Sequence, residues 1–341
     1  MESCAAISYP KPVTNRLQKG SPSYFLEIGG LYYSPANWGI YFNFERHKIN
    51  TIDSLSKGNA MEKTYQGKVV IVTGASAGIG KALATLLARQ GAKIVLAARR
   101  ADRLQQLAVE CSALGAEVLV LPTDVADESQ CKVLIEKTVE HFGQLDVLIN
   151  NAGLGASAAL EYFPNLDLFR HAMDVNLYGA VYCTYYALPY LKKTQGRIAA
   201  VSSLGGKSAL PYNTPYCTSK YGMHGFYDSL RMEVARYGIS ATVICPYWVI
   251  TEFHEAQLDK NGNPRGARGR TFYNNRMMTA ERCAEIILKT TWKRKREVMM
   301  GPGGFTLWFK LIAPGLLDWF TIKVVLQGAV RRMKKKMGKK L

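Results

Sequence analysis

A glycine-rich turn between a β-branched apolar run and a helical pattern constrains the fold more than any other feature of this chain. Residues 69–72 read Val-Val-Ile-Val, the composition of a strand that is buried on both faces. The segment Thr73-Gly-Ala-Ser-Ala-Gly-Ile-Gly80 follows, and a helical pattern continues through Arg89. Glycines at this place permit a tight turn and let backbone N–H groups approach a phosphate at the helix N-terminus. The strand–glycine–helix order predicts a dinucleotide-binding βα unit.

Apolar runs and helical patterns keep alternating after this unit. We predict strands at residues 93–98, 117–121, 147–149, 197–201, 240–245 and 297–300. We predict helices at residues 102–114, 128–142, 166–191, 213–237 and 279–291. Such alternation is typical of a parallel sheet with helices on both faces. The predicted fold is therefore an α/β, doubly wound parallel sheet of the Rossmann type, which binds ligands at the carboxyl ends of its strands.

The chain of 341 residues divides into three parts by composition and by the periodicity of its apolar residues. Residues 1–60 hold scattered aromatics without a clear period, and we expect a poorly ordered or dispensable extension, with Met61 as the natural start. Residues 61–303 form the predicted single catalytic domain, and residues 304–341 form an amphipathic segment with a basic end. The first twenty residues lack the apolar core of a secretory signal, so we expect a cytoplasmic protein.

Charge and cysteine content narrow the classes of partner. The formal net charge is +18, with dense basic runs at residues 293–296 and 331–340, which favours nucleic acid, an anionic membrane or a solvated surface. No nucleic-acid-reading motif accompanies the runs, so we expect no nucleic-acid partner. The seven cysteines are scattered without Cys-x-x-Cys pairs, which argues against a disulfide framework or a metal site.

The C-terminal segment combines an apolar stretch with the second basic run. Residues 305–330 are rich in apolar and aromatic side chains, but Lys310, Pro314 and Asp318 interrupt them, so a membrane span is not predicted. An apolar segment followed by a basic cluster is typical of a helix in a membrane interface, and an anionic membrane surface is the expected partner of residues 304–341. Packing on the core or on a second subunit is the alternative.

Tyr216 and Lys220 are four residues apart in the helix predicted at residues 213–237. That spacing places both side chains on one helix face, one turn apart. An ammonium beside a phenol stabilises the phenolate and lowers its pKa toward the range where proton transfer is efficient. A surface helix also produces such a pair by chance, so the pair indicates catalysis only if other motifs accompany it.

The second strand indicates which nicotinamide cofactor the chain prefers. It ends in Ala97-Ala98 and is followed by Arg99 and Arg100, about where an acidic residue would hold the 2′-hydroxyl of NAD. A guanidinium suits a 2′-phosphate by its charge and its forked donors. Solvated arginines after a strand are the alternative. The absence of an acid favours NADP, with NAD the less favoured cofactor.

Further polar residues follow strand ends and are expected at the same sheet edge. Asp124, Asn150 and Ser203 each come directly after or at the end of a predicted strand, and Asn176 lies inside a predicted helix. Each has a plain structural alternative, such as a helix cap for Asp124, a turn for Ser203 and a helix-bending polar residue for Asn176.

Taken in order, these motifs resemble the short-chain dehydrogenase/reductase family, and the likeness covers about residues 68–300. The residues that carry it are Thr73 to Gly80, Asp124, Asn150 to Gly153, Asn176, Ser203 and Tyr216-x-x-x-Lys220. The resemblance, together with the arginine after the second strand, implies a cofactor site formed by Thr73, Gly74, Ser76, Gly78, Ile79, Gly80, Arg99, Asp124, Asn150, Asn151, Ala152, Gly153, Tyr216, Lys220, Val249 and Thr251.

The resemblance also implies catalytic roles. Tyr216 is expected to transfer the proton, Lys220 to hold the nicotinamide ribose and lower the Tyr216 pKa, and Ser203 to bond the substrate oxygen. Asn176 is expected to anchor a water that relays protons to Lys220. The implied protein is an NADP(H)-dependent oxidoreductase, mostly oligomeric in the family. Membrane-associated members with similar tails favour a lipophilic ketone, aldehyde or secondary alcohol. A non-catalytic NADP-binding sensor or scaffold is the alternative.

One position departs from the family pattern. The family usually has Pro-Gly after the sixth strand, whereas this chain has Pro246-Tyr247. We expect Tyr247 to alter the local backbone and to narrow the substrate side. The polar, glycine-rich segment 252–275 is predicted to be a mobile substrate lid.

Overall fold

The computed structural model describes residues 26–28, 31–33, 64–267, 277–301 and 303–323. The chain divides into two compact units, Met1–Ala60 and Met61–Leu341. In the first unit, strands β1 (Leu26–Ile28) and β2 (Leu31–Tyr33) pair as an antiparallel hairpin. Whether this unit is dispensable stays a prediction.

The second unit is built on a seven-stranded sheet in which all neighbouring strands are parallel. Its strands, in chain order, are β3 (Val69–Thr73), β4 (Lys93–Ala98), β5 (Val118–Pro122), β6 (Val147–Asn150), β7 (Arg197–Val201), β8 (Ser240–Cys245) and β11 (Glu297–Met299). Their spatial order is β11-β8-β7-β6-β3-β4-β5, so the first strand of the domain is central. The two short strands β9 (Val249–Ile250) and β10 (Met278–Thr279) pair separately. The predicted doubly wound fold is confirmed.

Helices cover both faces of the sheet. In chain order they are α1 (Gly78–Arg89), α2 (Ala101–Ala113), α3 (Glu128–Phe142), α4 (Asp167–Met173), α5 (Gly179–Thr194), α6 (Thr214–Val234), α7 (Phe253–Ala256), α8 (Ala280–Trp292) and α9 (Gly303–Ile312). Helices α1, α2 and α8 pack on one face, and α3, α5 and α6 pack on the other. The strand β3 therefore buries alternate side chains in two cores, which explains its uninterrupted apolar sequence.

The single helix predicted at residues 166–191 is wrong in its centre. Helix α4 is followed by a π-helical turn, Asp174–Tyr178, before α5 begins. A π turn carries an extra residue and shifts the helix face, which sequence periodicity does not reveal. Asn176 is the buried residue of this turn.

The predicted lid follows β8, and the predicted amphipathic segment follows β11. The predicted lid, residues 252–275, begins with the short helix α7, and residues 268–276 lie outside the described residues. After β11, α9 is followed by a second helical stretch at residues 314–323. In the part of the chain that the structure describes, no helix is long and apolar enough to span a membrane.

Candidate active site

The glycine turn after β3 has a backbone shape that side chains would block. Gly74 has a φ of 67°, and a Cβ on it would lie 2.8 Å from the Cα of Ala152. A Cβ on Gly80 would collide with the carbonyl of Gly74. Gly78 has a φ of 54° and faces Thr251 at 3.1 Å from an added Cβ. The three glycines therefore allow the turn to pack closely on itself and on Ala152 and Thr251, and we call this turn the glycine cradle.

The helix that starts in this cradle presents a free N-terminus. The N-cap residue Ala77 makes no side-chain capping bond, and the first turn of α1 has no acidic residue. Its N–H groups and the positive end of the helix dipole therefore suit a phosphate. The cradle and the uncapped helix fit the pyrophosphate of a dinucleotide. Ile79, also predicted at the cofactor, packs against the core beneath α1.

The turn is tied to the end of β6 by hydrogen bonds. Thr73 Oγ1 accepts from the backbone N–H groups of Asn151 and Ala152, at 3.0 and 3.1 Å. The Asn151 amide donates to the carbonyl of Thr73 at 2.8 Å. These residues shape the cradle through β3 and β6, as their predicted place beside the cofactor requires.

The end of β4 gathers arginines and one hydroxyl. Arg100 donates to Ser76 Oγ at 3.0 Å, so the Arg100 guanidinium lies beside the glycine turn. Arg99 is more exposed and lies 3.9 Å from the carboxylate of Asp124. The Asp124 carboxylate also accepts from the Ala126 N–H at 3.1 Å, and the alternative role as a helix cap is wrong because Asp127 caps α3. Ser76 and Arg100 together offer donors suited to a phosphate.

Ser203 and Tyr216 meet at the carboxyl end of β7. Ser203 follows that strand and Tyr216 lies in the first turn of α6, and the two side chains lie on either side of Gly205, whose N–H donates to Ser203 Oγ at 3.0 Å. A Cβ on Gly205 would touch both side chains, at 3.4 and 3.5 Å, so the glycine leaves room for the pair. Two adjacent hydroxyl donors are what a developing negative charge on a carbonyl oxygen requires.

Lys220 lies one helical turn after Tyr216. Its Nζ is 5.9 Å from the centroid of the Tyr216 ring and donates to the carbonyl of Val201 at 2.8 Å. The side chain is almost completely buried, and burial lowers the Lys220 pKa to about 8.

Asn176, which lies in the π turn, is the fourth of the predicted catalytic residues. Its amide donates to the carbonyl of Leu154 and to Ser219 Oγ, both at 2.9 Å, and its oxygen accepts from the Leu154 N–H. A Cβ on Gly153 would lie 3.4 Å from Asn176 Oδ1 and 3.7 Å from Lys220 Nζ. Gly153 thus marks the point where these two side chains come together.

Comparison with known proteins agrees with this geometry. The family model of the short chain dehydrogenases matches residues 68–262. An 11-beta-hydroxysteroid dehydrogenase of Pinus massoniana is 36% identical over 261 residues, which cover 74% of this chain and 73% of that protein. An 11-beta-hydroxysteroid dehydrogenase A of Sesamum indicum is 32% identical over 290 residues, or 83% of each chain. The chain belongs to the short-chain dehydrogenase family.

The fold is also similar to that of a solved structure. The alcohol dehydrogenase from the archaeon Thermococcus sibiricus, in complex with 5-hydroxy-NADP, superposes with a TM-score of 0.60 at 29% identity. The match covers 69% of this chain and 96% of that one. The present short-chain dehydrogenase is therefore an oxidoreductase of Rossmann-type fold, as the sequence predicts.

The Asn150 amide donates to Thr184 and Tyr227, at 3.0 and 2.8 Å, which ties the end of β6 to the helices behind it, and a contact of Asn150 with the cofactor stays a prediction. One expectation about an individual residue needs correction. Burial raises the pKa of Tyr216 to about 12, whereas the sequence predicts a lowered one. The nearby Ser203 hydroxyl opposes the effect of burial on this pKa but does not outweigh it.

The segment after β8 carries two predicted cofactor residues and two residues that the sequence did not single out. Val249 is buried in β9 and Thr251 faces Gly78, and their contact with the cofactor stays a prediction. The Phe253 ring lies 5.8 Å from the Tyr216 ring, and Tyr247 packs toward Gly301. Glu252 pairs with Arg103 at the start of α2. No local motif marks Phe253 or Glu252, because both act through contacts with distant parts of the chain.

Proposed function

We propose that this short-chain dehydrogenase is an NADP(H)-dependent carbonyl reductase that also oxidises the corresponding alcohol. The observation that carries the proposal is the convergence of Ser203, Tyr216, Lys220 and Asn176 beside the glycine cradle. A sensor or scaffold of the same fold has no need for an intact set of this kind.

The side chains divide the work of carbonyl reduction between them. Bound NADPH supplies the hydride. The Ser203 and Tyr216 hydroxyls donate hydrogen bonds to the carbonyl oxygen as negative charge develops on it. Tyr216 then gives its proton to that oxygen, and in the reverse direction its phenolate takes the proton back.

Lys220 and Asn176 assist proton transfer to and from Tyr216. Lys220 is buried with a pKa lowered to about 8, so it can hold or release a proton near neutral pH. Its ammonium form favours the phenolate of Tyr216 once a proton has left. Asn176, held by Leu154 and Ser219, is placed to anchor a water beside Lys220 Nζ.

The preference for NADP rests on the charges at the end of β4. Ser76 and Arg100 are hydrogen-bonded there, and Arg99 lies nearby at the same strand end. No acidic side chain occupies the last two positions of β4, which are Ala97 and Ala98. A 2′-phosphate gains charge-assisted bonds from such arginines. The structural neighbour that carries an NADP analogue supports the same choice.

A lipophilic substrate suits the surroundings of Tyr216. The Phe253 ring packs beside the Tyr216 ring, and exposed apolar side chains occur in the loops after β7 and β8. These side chains are Leu210, Tyr212, Tyr247 and Ile250. Apolar walls with few polar donors are typical of sites for small lipophilic ligands. The named hydroxysteroid dehydrogenase relatives support this substrate class.

A substrate survey tests the proposal. Purified full-length protein with NADPH is mixed with ketosteroids, long-chain ketones, retinal and small hydrophilic aldehydes, and NADPH consumption is followed at 340 nm. We expect turnover of lipophilic carbonyls with at least tenfold higher kcat/KM than of hydrophilic ones. NADPH binding without turnover of any carbonyl would favour the sensor alternative instead.

A further inference from the structure

Behind the catalytic helix, three side chains with metal-binding atoms come together in a cluster that the proposed reaction does not use. His224, Cys245 and Glu297 each offer one such atom, and these atoms all lie within 4.8 Å of one another. We call them the His–Cys–Glu cluster. His224 is one turn beyond Lys220 on α6, Cys245 ends β8 and Glu297 begins β11.

The fold fixes the cluster through strand register. Glu297 pairs with Val243, two residues before Cys245, so the Glu297 and Cys245 side chains point to the same face of the sheet. Helix α6 packs on that face and supplies His224. A Cβ on Gly206 would lie 2.9 Å from the His224 ring, so this glycine permits the ring position.

The distances in the cluster are close to those of a tetrahedral ion site. Cys245 Sγ lies 3.7 Å from His224 Nε2 and 3.7 Å from Glu297 Oε1. Zinc binds thiolate sulfur at about 2.3 Å and imidazole nitrogen or carboxylate oxygen at about 2.0–2.2 Å, which places tetrahedral S and N or O ligands about 3.5 Å apart. Both distances from Cys245 Sγ are therefore within a few tenths of an ångström of those of an occupied site. The His224 and Glu297 atoms, within 4.8 Å of each other, come to one ion by side-chain shifts of up to about 1 Å.

Burial and charge also suit a divalent cation. Cys245 is fully buried and His224 is 6% exposed, while Glu297 reaches solvent. The second oxygen of Glu297 pairs with Lys207 at 3.0 Å, which orients the carboxylate and leaves Oε1 toward the cysteine. A thiolate and a carboxylate together carry the charge that neutralises a divalent ion.

We propose that His224, Cys245 and Glu297 bind Zn²⁺. The mixed sulfur, nitrogen and oxygen ligands suit this borderline-soft ion better than Mg²⁺ or Ca²⁺. On binding, the Cys245 thiol loses its proton to solvent and a sulfur–zinc bond forms. Three protein ligands leave the fourth position to water, which enters on the Glu297 side. The ion links the edge strand β11 and strand β8 to the helix that carries Tyr216 and Lys220.

No motif in the sequence marks this site. The ligands are 21 and 52 residues apart, and neither spacing belongs to a short metal motif. We expected no metal because the cysteines lack close partners along the chain. Only the register of β8 and β11 and the packing of α6 bring the three side chains together.

Cobalt binding tests the proposal with a readout independent of catalysis. Untagged full-length protein is stripped with a chelator and titrated with Co²⁺, which takes zinc sites and gives a sulfur-to-cobalt charge-transfer band in the near ultraviolet. We expect one equivalent to bind and the band to appear. Cys245→Ser should abolish the band, while Cys283→Ser, which alters another buried free cysteine, should keep it.

Glu297→Gln gives a second measure if Cys245→Ser does not fold. It removes one anionic ligand at a partly exposed site and should weaken Co²⁺ binding at least tenfold with an unchanged circular dichroism spectrum. The proposal fails if the wild-type protein gives no charge-transfer band. It also fails if the band survives Cys245→Ser, or if Glu297→Gln binds Co²⁺ as tightly as the wild type.

Discussion

The carboxylate of Glu252 lies 2.7 Å from the guanidinium of Arg103, although 149 residues separate them in the sequence. The same carboxylate is 3.7 Å from Arg100, which also bonds Ser76 in the glycine turn. This ion pair joins the segment after β9 to the start of α2, beside the expected position of the cofactor phosphate. In the proposed complex with NADP, Glu252 would compete with the 2′-phosphate for the charge of Arg100.

We predict that Glu252→Gln tightens NADPH binding. Partly exposed ion pairs are worth about 0.2–1 kcal/mol, so the dissociation constant should fall by a factor of about 1.4 to 5. NADH, which lacks the phosphate, should bind almost unchanged. Titration calorimetry at low salt measures both constants, and Glu161→Gln serves as a control for the loss of one exposed carboxylate. Weaker NADPH binding would show that Glu252 holds the cofactor instead.

Arg100 is predicted to contribute more to NADPH binding than Arg99. Arg100 already bonds Ser76, whereas Arg99 is more exposed and only 3.9 Å from Asp124. Arg100→Ala should weaken NADPH by roughly 1.5–3 kcal/mol, or about 10- to 150-fold, and NADH by much less. Arg99→Ala is the matched variant, and a smaller loss is expected. Equal losses for both cofactors would place the phosphate contact elsewhere.

The sequence predicts which residues share the ligand edge of the sheet but not the directions of their side chains. Parallel strands end at one edge, so strand order alone placed the glycine turn, Ser203 and the Tyr216 helix together. Side-chain direction within that edge was not predictable, because it depends on contacts between residues far apart in sequence. The strand-end position of Asn150, for example, does not reveal that its amide donates to Tyr227 behind the sheet. The π turn at Asn176 was missed because helical periodicity does not record an inserted residue.

Removal of the Tyr216 hydroxyl is predicted to stop catalysis and to spare cofactor binding. Tyr216→Phe keeps the ring beside Phe253 and deletes the group that transfers the proton. We expect kcat to fall about a thousandfold or more, while the NADPH dissociation constant changes less than about threefold. Tyr185→Phe, an exposed tyrosine on α5, should leave both values unchanged. Near-full turnover in Tyr216→Phe would refute the proposed role.

The raised pKa of Tyr216 predicts different pH profiles for the two directions. With a pKa of about 12 the phenol stays protonated from about pH 6 to 9, so reduction, which needs the phenol, should vary little with pH. Oxidation needs the phenolate, whose fraction grows tenfold per pH unit below the pKa, so log kcat/KM should rise with a slope near one. An oxidation profile that levels off near pH 7 to 8 would show a phenol with a lowered pKa.

The C-terminal helices carry an exposed apolar surface that we propose lies in an anionic membrane interface. Lys310 links α9 to the catalytic domain, since its Nζ donates to the carbonyl of Lys207 and to the Tyr221 hydroxyl. The exposed large side chains of this surface are Trp308, Leu311, Ile312, Leu316, Trp319, Phe320 and Ile322. The basic run at residues 331–340 lies outside the described residues, and its charge is read from the sequence.

Truncation after Gly304 is predicted to release the protein from anionic vesicles. Apolar side chains supply the attachment, and each nearby Lys or Arg adds about 1 kcal/mol that salt weakens. Full-length protein should sediment with phosphatidylserine vesicles at low salt and much less with phosphatidylcholine vesicles. Leu311→Gln should reduce sedimentation, while Val109→Gln, at an exposed apolar position on α2, should not. The truncated protein should still bind NADPH, because every proposed cofactor contact precedes Phe253. Full-length protein that stays in the supernatant, or a truncated chain that does not fold, would place this surface against protein instead of lipid.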